Sequence, residues 1–360
     1  MILKFFTFYI ILISFCVIFY NSVYGQGKEL RDTLNNNRIN SADTLGSKDI
    51  HPQDSPESSG LIIRSKDKKL SIRFYGSARV YGSYDFNGTD NKFRIRQAYG
   101  QTKHLIIGQT WTNFSDIETL PLTVDVDGPP TAVSVRNVQI KYYLDFEPGW
   151  RFRASIESPS ILIYIPDTLS IESVTQNYPA VATNIKKDWE AVQIKAAGIL
   201  NPISVRNVSG ERGSLLGRGA LLSINADLTS SSSLKFQGLF GKGIASFLNL
   251  SDNSAFDVVL NPNDGEYQLT TCYGGFVAFN QEIFREFLDI DIVYGLVNLT
   301  MEDYFPDYSF NAGQYIAFNG FLSYPGGFRL GVEYTYGYKK IKDGSSGVAN
   351  RFAFTFYYDF

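Results

Sequence analysis

Cysteine, histidine and methionine are almost missing from this chain, with two of each in 360 residues. If the apolar N-terminal segment that carries Cys16 is removed, Cys272 is left alone, so no intrachain disulfide can form. Stability then has to come from a large core or a closed sheet. Two isolated histidines, His51 and His104, and one cysteine do not make a zinc site, and neither histidine stands beside a serine in a nucleophile-and-base arrangement. These shortages exclude disulfide scaffolds and typical zinc centres and count against Ser-His hydrolases. A formal net charge of −3 is too small to suggest nucleic acid as a partner. No long apolar run follows Tyr20, so a second membrane-spanning helix is excluded. GKG, Gly241–Gly243, lacks the spacing of a phosphate cradle.

What is there begins with Lys4 and an apolar run from Phe5 to Tyr20, closing on Val23-Tyr24-Gly25. That order of charge, apolar core and small residues predicts a secretory signal peptide over residues 1–25, cleaved near Gly25. The apolar run is too short for a spanning anchor. Phe15 stands where lipoprotein processing needs a small residue, so Cys16 is not read as a lipidation site. Residues 26–65 are polar and rich in Asn, Ser, Asp and Gly, and predict a flexible periplasmic leader.

The remaining body is rich in Tyr, Phe and Gly and reads with period two. In the last segment, ANRFAFTFYYDF, the aromatic residues Phe352, Phe354, Phe356, Tyr358 and Phe360 alternate with Arg351, Ala353, Thr355, Tyr357 and Asp359. Such a face predicts a closing strand that meets lipid, and the terminal aromatics resemble the signal read by the outer-membrane barrel assembly machinery. Trp150, Phe152, Ala154 and Ile156 alternate with Arg151, Arg153, Ser155 and Glu157, and Phe328 to Tyr338 alternates with Arg329, Glu333, Thr335 and Lys339. Charges fall opposite the aromatics each time. A basic side chain on the lipid face near the midplane costs about 2–4 kcal/mol, so this segregation is what a membrane barrel requires. Fourteen strands are predicted, at 70–86, 93–101, 104–112, 135–146, 149–158, 180–187, 189–200, 215–228, 233–241, 266–280, 286–299, 313–324, 326–340 and 349–360. Turn formers at Asp145–Gly149, 325–327 and Asp343–Gly347 separate several of them.

One stretch breaks the alternation. Gly108–Pro130, GQTWTNFSDIETLPLTVDVDGPP, leaves a strand at Trp111 and runs through Asp, Pro and Gly before a strand resumes near Val135. A long loop in a barrel extends from the rim or folds into the lumen, and folding inward narrows the hole. Residues 112–134 are therefore read as a constriction loop bearing Phe114, Asp116, Glu118, Asp125 and Asp127, with Arg136 at its exit.

FRIRQAYGQ (Phe93–Gln101), GQTW with Phe114 and Asp116, then Pro121, Thr123, Asp125 and Gly128-Pro129, and RNVQIKYY (Arg136–Tyr143) resemble the DcaP-like family of trimeric outer-membrane porins. Phe236–Leu250 and Phe328–Phe360 agree with it. The resemblance covers most of residues 70–360. It implies a 16-stranded barrel, a homotrimer, and passage of small anionic solutes such as dicarboxylates. Between the first strand and Phe93 the family carries another hairpin, where this chain has only NGTDNK, Asn87–Lys92. Fourteen strands instead of sixteen imply a narrower barrel.

The electrostatics follow from the alternation itself. Assigning the non-aromatic face to the lumen lines it with Arg73, Arg79, Arg94, Arg96, Lys141, Arg151 and Arg153. A basic wall facing an acidic loop across a water-filled gap gives a transverse field and a mild anion preference. The plainer alternative is that these arginines solvate the lumen and pair with Glu157, Asp289 and Asp291. Trp111 and Trp150 are read as interface or loop-anchoring aromatics, and Cys272 as a small inward filler. The fold expected is an all-β, transmembrane antiparallel barrel of 14–16 strands, and the function an outer-membrane diffusion porin without a cofactor. The competing classes are a plugged structural barrel, a barrel hydrolase and a fatty-acid channel, whose lumen would be apolar.

Overall fold

Arg136–Phe146 shows the rule by which the wall is built. Asn137, Gln139, Lys141 and Tyr143 are buried, while Val138, Ile140, Tyr142 and Leu144 between them are exposed. Ala180–Asp188 repeats it, with Ala182, Asn184 and Lys186 buried and Val181 and Ile185 exposed. Polar groups inside and apolar groups outside is the reverse of a water-soluble protein, and it is the distribution a lipid environment selects.

The structure is a computed structural model, and it describes residues 61–64, 71–79, 94–125, 127–165, 171–175, 178–207, 212–250, 254–285, 287–325 and 327–358, within the unit Gly46–Phe360. Only the backbone is described for 61–64, 71–79, 94–96, 171–175, 206–207 and 212. The expected signal peptide, most of the expected leader, His51, the NGTDNK stretch and Phe360 lie outside the described residues.

Nineteen strands are present among them. They are β1 (Leu61–Arg64), β2 (Ser71–Arg79), β3 (Arg94–Gln101), β4 (Leu105–Trp111), β5 (Arg136–Phe146), β6 (Trp150–Ser158), β7 (Ile163–Tyr164), β8 (Ile171–Thr175), β9 (Ala180–Asp188) and β10 (Val192–Asn207). There follow β11 (Arg212–Thr229), β12 (Ser232–Lys242), β13 (Val258–Leu260), β14 (Tyr267–Leu269), β15 (Thr271–Phe284), β16 (Leu288–Leu299), β17 (Phe310–Tyr324), β18 (Phe328–Ile341) and β19 (Ser346–Tyr358). Sixteen of them form one antiparallel sheet, ordered β1-β2-β3-β4-β5-β6-β9-β10-β11-β12-β15-β16-β17-β18-β19. β8 pairs with the end of β10 that β9 does not reach, Ser204 opposite Thr175. All fourteen predicted strands are in this sheet. The prediction missed β1, β7, β8 and β13, and it ran β14 and β15 together across the break at Thr270. β7, β13 and β14 make a separate three-stranded sheet in the loops.

The connections at one rim are short, at 147–149, 189–191, 230–231, 285–287 and 325–327, and the other rim carries the long ones, at 112–135, 159–179 and 243–270. Gly149, at φ 80°, closes the first turn, where a side chain would strike the carbonyl of Asp188. Aromatic residues gather at this short-turn rim. Trp150 stacks on Phe146 at 6.2 Å, Lys187 lies over Trp150, and Phe328 meets Tyr358 at 5.0 Å. That is the interfacial belt expected of membrane aromatics. Phe352, Phe354, Phe356 and Tyr358 are all exposed on β19. The fold is an all-β antiparallel transmembrane barrel with a loop folded inside it.

Candidate pore constriction

The loop leaves β4 at Trp111 and rejoins the wall at β5, its neck closed by Thr112 N donating to the Val135 carbonyl at 3.1 Å. Thr112 then turns the chain, its hydroxyl accepting from Phe114 N at 3.1 Å and its carbonyl from the Ser115 hydroxyl at 2.9 Å. This drives Phe114 inward, where it meets Phe247 edge to face at 5.8 Å. Gly219 and Gly241 make that seat. A methyl group at Gly219 would lie 2.5 Å from Ile244 and 3.0 Å from Phe114, and at Gly241 2.4 Å from Ile244.

From there the loop passes from strand to strand around the wall. Asn113 N donates to Glu157 on β6 at 2.9 Å, and Asn184 on β9 donates to the Asn113 carbonyl at 2.8 Å. Lys195 on β10 donates to the Ser115 carbonyl, and Ser223 on β11 to the Asp116 carboxylate. Lys235 on β12 reaches the Leu120 carbonyl at 2.8 Å. Val124 N then donates to Asn319 on β17 and to Glu333 on β18, both at 3.0 Å, and Arg351 on β19 donates to Asp125. On its return the loop gives the Thr131 carbonyl to Gln237 of β12 at 2.7 Å. One loop can meet strands β6 through β19 in order only if the sheet wraps around it. Buried backbone groups need partners, and the wall side chains supply them.

The charges are arranged in register. Arg151 of β6 stands opposite Lys186 of β9, and Lys186 opposite Lys195 of β10, so three adjacent strands carry a transverse row of cations. Lys141 and Arg153 flank the row, Lys141 donating to the Trp111 carbonyl at 2.7 Å and Arg153 pairing with Asp145 at 2.7 Å. Glu118 pairs with Lys186 and lies 3.6 Å from Arg151, and Asp116 lies 3.7 Å from Lys195. Asp188 holds Arg151 from behind at 2.5 Å. Burial would push the Asp116 carboxyl up, but Lys195, Lys186 and the Ser223 and Thr119 hydroxyls outweigh it and hold it down at about 2. Glu118 is held below its ordinary value against the same burial, chiefly by Lys186. A cleft between loop and wall is lined by these five cations and by Asp116 and Glu118.

This geometry corrects one expectation. Asp116 and Glu118 do not face the basic wall across a gap; they touch it. The four loop acids also do not share a face, since Asp125 turns to Arg351 on the far wall and Asp127 is exposed. Two acids of the alternative pairing have other partners. Glu157 binds Asn113 N, Asn137 and Ser155, and Asp291 binds Asn280 at 2.6 Å. Lys141, Arg151 and Arg153 line the cleft, while Arg73, Arg79, Arg94 and Arg96 are placed only by backbone, Arg79 opposite Arg94 and Arg73 opposite Gln101. Arg136 lies 3.4 Å over the Trp111 ring, which anchors the loop neck. Lys186, Lys195 and Asn319 carry no mark in the sequence, and Glu333 is visible there only as an inward charge. In 180–187 both phases end in lysine, which hides the inward one.

A second segment also enters the lumen. Ile244, Ala245, Phe247 and Leu248 pack with Phe114, Val133, Leu221, Leu239, Cys272 and Leu299 in one apolar cluster. Asp257 fastens this segment to the neighbouring loop by accepting from Leu162 N at 2.8 Å and Ser246 N at 3.0 Å. Its burial pushes the carboxyl up to about 6. Among the described residues no group of three His, Cys, Asp or Glu side chains is placed to hold a metal ion.

No protein-family model matches the chain, and no curated protein is similar to it in sequence. Solved structures do resemble it. The outer-membrane channel DcaP of Acinetobacter baumannii superposes with a TM-score of 0.68 at 19% identity, covering 81% of this chain and 79% of that one. OmpT, an outer-membrane protein of Vibrio cholerae in a trimer form, gives 0.50 at 12% identity over 80% of this chain and 86% of its own. The chain has the fold of a DcaP-type outer-membrane channel.

Proposed function

We propose that the protein is a passive diffusion channel of the bacterial outer membrane for small hydrophilic anions of the dicarboxylate class. The observation that carries this reading is the register-aligned row Arg151, Lys186 and Lys195, flanked by Lys141 and Arg153 and covered by the inward loop. Five cations line the cleft against Asp116 and Glu118, with Asp188 and Asp145 paired to Arg151 and Arg153, and the excess of positive charge raises the local concentration of anions. Asp116 and Glu118 hold the loop and moderate the field, so the preference is mild. Trp111 and Arg136 fix the loop neck, and Arg73, Arg79, Arg94 and Arg96 extend the basic wall. On this reading the chain is not an enzyme and needs no cofactor. It is exported after cleavage near Gly25, inserted through its aromatic last strand by the barrel assembly machinery, and assembled as a homotrimer, as the DcaP-like resemblance implies.

Proteoliposomes test the reading. Swelling in succinate should exceed swelling in a diamine of equal size, and swelling no faster than that of empty liposomes would overturn it. A plugged barrel is the second reading, favoured by the apolar cluster of Phe114, Ile244 and Phe247 inside the lumen. It predicts no swelling until that cluster is opened.

A further inference from the structure

On the outer surface, Arg218 of β11 stands directly opposite Lys242 of β12. Both are exposed and both lie on the outward phase, with Ala220 and Leu222 following Arg218 and Phe240 preceding Lys242. Like charges directly opposed on a sheet are destabilising, and basic side chains on a lipid-facing wall are costly. Neither has a hydrogen-bond or ion-pair partner among the described residues, and the outward positions of β9, β10, β11 and β12 around them carry no acid. Below the two cations a groove of about 430 Å³ runs over Gly198, Thr183 and Ala220, walled by Leu200, Val181 and Phe240. Gly198 leaves its floor open, since no atom lies closer than 3.8 Å to where a side chain would begin.

The height of the pair is informative. From Leu228 at the short-turn rim to Arg218 the outward face of β11 runs ten residues, ~33 Å along a strand. At a tilt of roughly 40° that is ~25 Å across the membrane, the height of the apolar band. Arg218 and Lys242 therefore sit at the headgroup level on the long-loop side, with the groove descending into the acyl region.

We infer that this face binds one phosphate-bearing lipid, its phosphate bridging Arg218 and Lys242 and an acyl chain lying in the groove over Gly198. Side chains opposite one another on a sheet are ~5 Å apart, within the span of one phosphate. An arginine fork and a lysine point charge are the usual pair for that group. Charge complementarity selects this occupant over a second copy of the chain, whose outward strands would have to bring an acid. The inference rests on the membrane placement of the barrel but not on what the channel conducts.

The test is native mass spectrometry of the full protein from detergent micelles doped with dioleoyl phosphatidate, dioleoyl phosphatidylcholine or inorganic phosphate. Wild type should retain one phosphatidate per chain, and R218Q/K242Q should retain about tenfold less. The variant loses no fold, since it removes charge from a lipid face. G198L should lose phosphatidate as well, because it fills the groove while leaving both cations in place. Equal phosphatidate retention by wild type and R218Q/K242Q would overturn the proposal. So would equal displacement of retention by inorganic phosphate alone, which would make the pair a free-anion site, or dissociation of oligomers in R218Q/K242Q, which would make the face a protein interface. Single-channel conductance should be the same in all three proteins, so a failed lipid site and a failed channel are told apart.

Discussion

The two halves of the wall hold the same loop by opposite means. Strands β5 to β12 present cations and amides, Lys141, Asn184, Lys186, Lys195, Lys235 and Gln237, to carbonyl oxygens of the loop and its neck and to two of the loop's four acids, Asp116 and Glu118. Strands β17 and β18 present acceptors, Asn319 and Glu333, to the loop's N–H groups at Val124 and Asp125. A backbone in irregular conformation exposes donors and acceptors alike, and inside a barrel both need partners. The basic half meets mainly carbonyls and carboxylates, with Glu157 of β6 taking the Asn113 N–H, and the acidic half meets mainly N–H groups, with Arg351 of β19 taking the Asp125 carboxylate. The loop is in this way suspended between walls of opposite sign, and the cleft lies on the basic side.

Breaking the acidic half should have the largest effect. Glu333 is fully buried and accepts from Val124 N, Asp125 N, the Thr335 hydroxyl and Arg351. E333A strands those donors, at a cost of about 3 kcal/mol, and should free the loop tip. Single-channel recordings should show higher and noisier conductance. On the basic half, D116N removes one of the two acids in the cleft. One charge near a partly wet surface is worth ~1 kcal/mol, so anion-to-cation permeability should rise by roughly fivefold, read from the reversal potential in a salt gradient.

The pH dependence sharpens the contrast in opposite directions. Asp116 is held at about 2, below its ordinary 3.8, so its contribution to loop docking is complete above 3.8 and is lost as pH falls from there toward 2. Asp257 is raised from 3.8 to about 6, so its site is most stable below 3.8 and loses stability as pH rises to about 6. The protection factors of the Leu162 and Ser246 amides, with the intrinsic rate at each pH divided out, should therefore fall between pH 4 and about 6 in wild type. In D257N they should stay level over that window. The smallest effect belongs to Asp127, which is exposed in the loop. D127N should leave conductance and selectivity unchanged, within the ~0.5 kcal/mol of a surface substitution.

The long strands were legible because lipid and lumen impose a strict alternation, as in Val138 to Leu144. Where that contrast is absent the sequence was silent. β13, Val258–Leu260, is buried at all three positions and has no alternation to read. β1, LIIR, is four residues long with three apolar residues in a row. The constriction loop was legible as a break in the pattern, and its acids were visible in it. Their destinations were not, because pairing Asp116 with Lys195 and Asp125 with Arg351 depends on strand register, which spacing along the chain does not reveal. The apolar run Ile244–Leu248 carries no mark that it turns inward, since lumen-filling and lipid-facing residues are of the same types.

On the proposed function, a basic row beneath the loop governs what passes. The reversal potential of the wild type and of K186Q/K195Q in planar bilayers under a potassium chloride gradient tests it most directly. Anion preference is expected in the wild type, and its loss or inversion in the variant. Cation selectivity in the wild type, or identical reversal potentials for the two proteins, would contradict it.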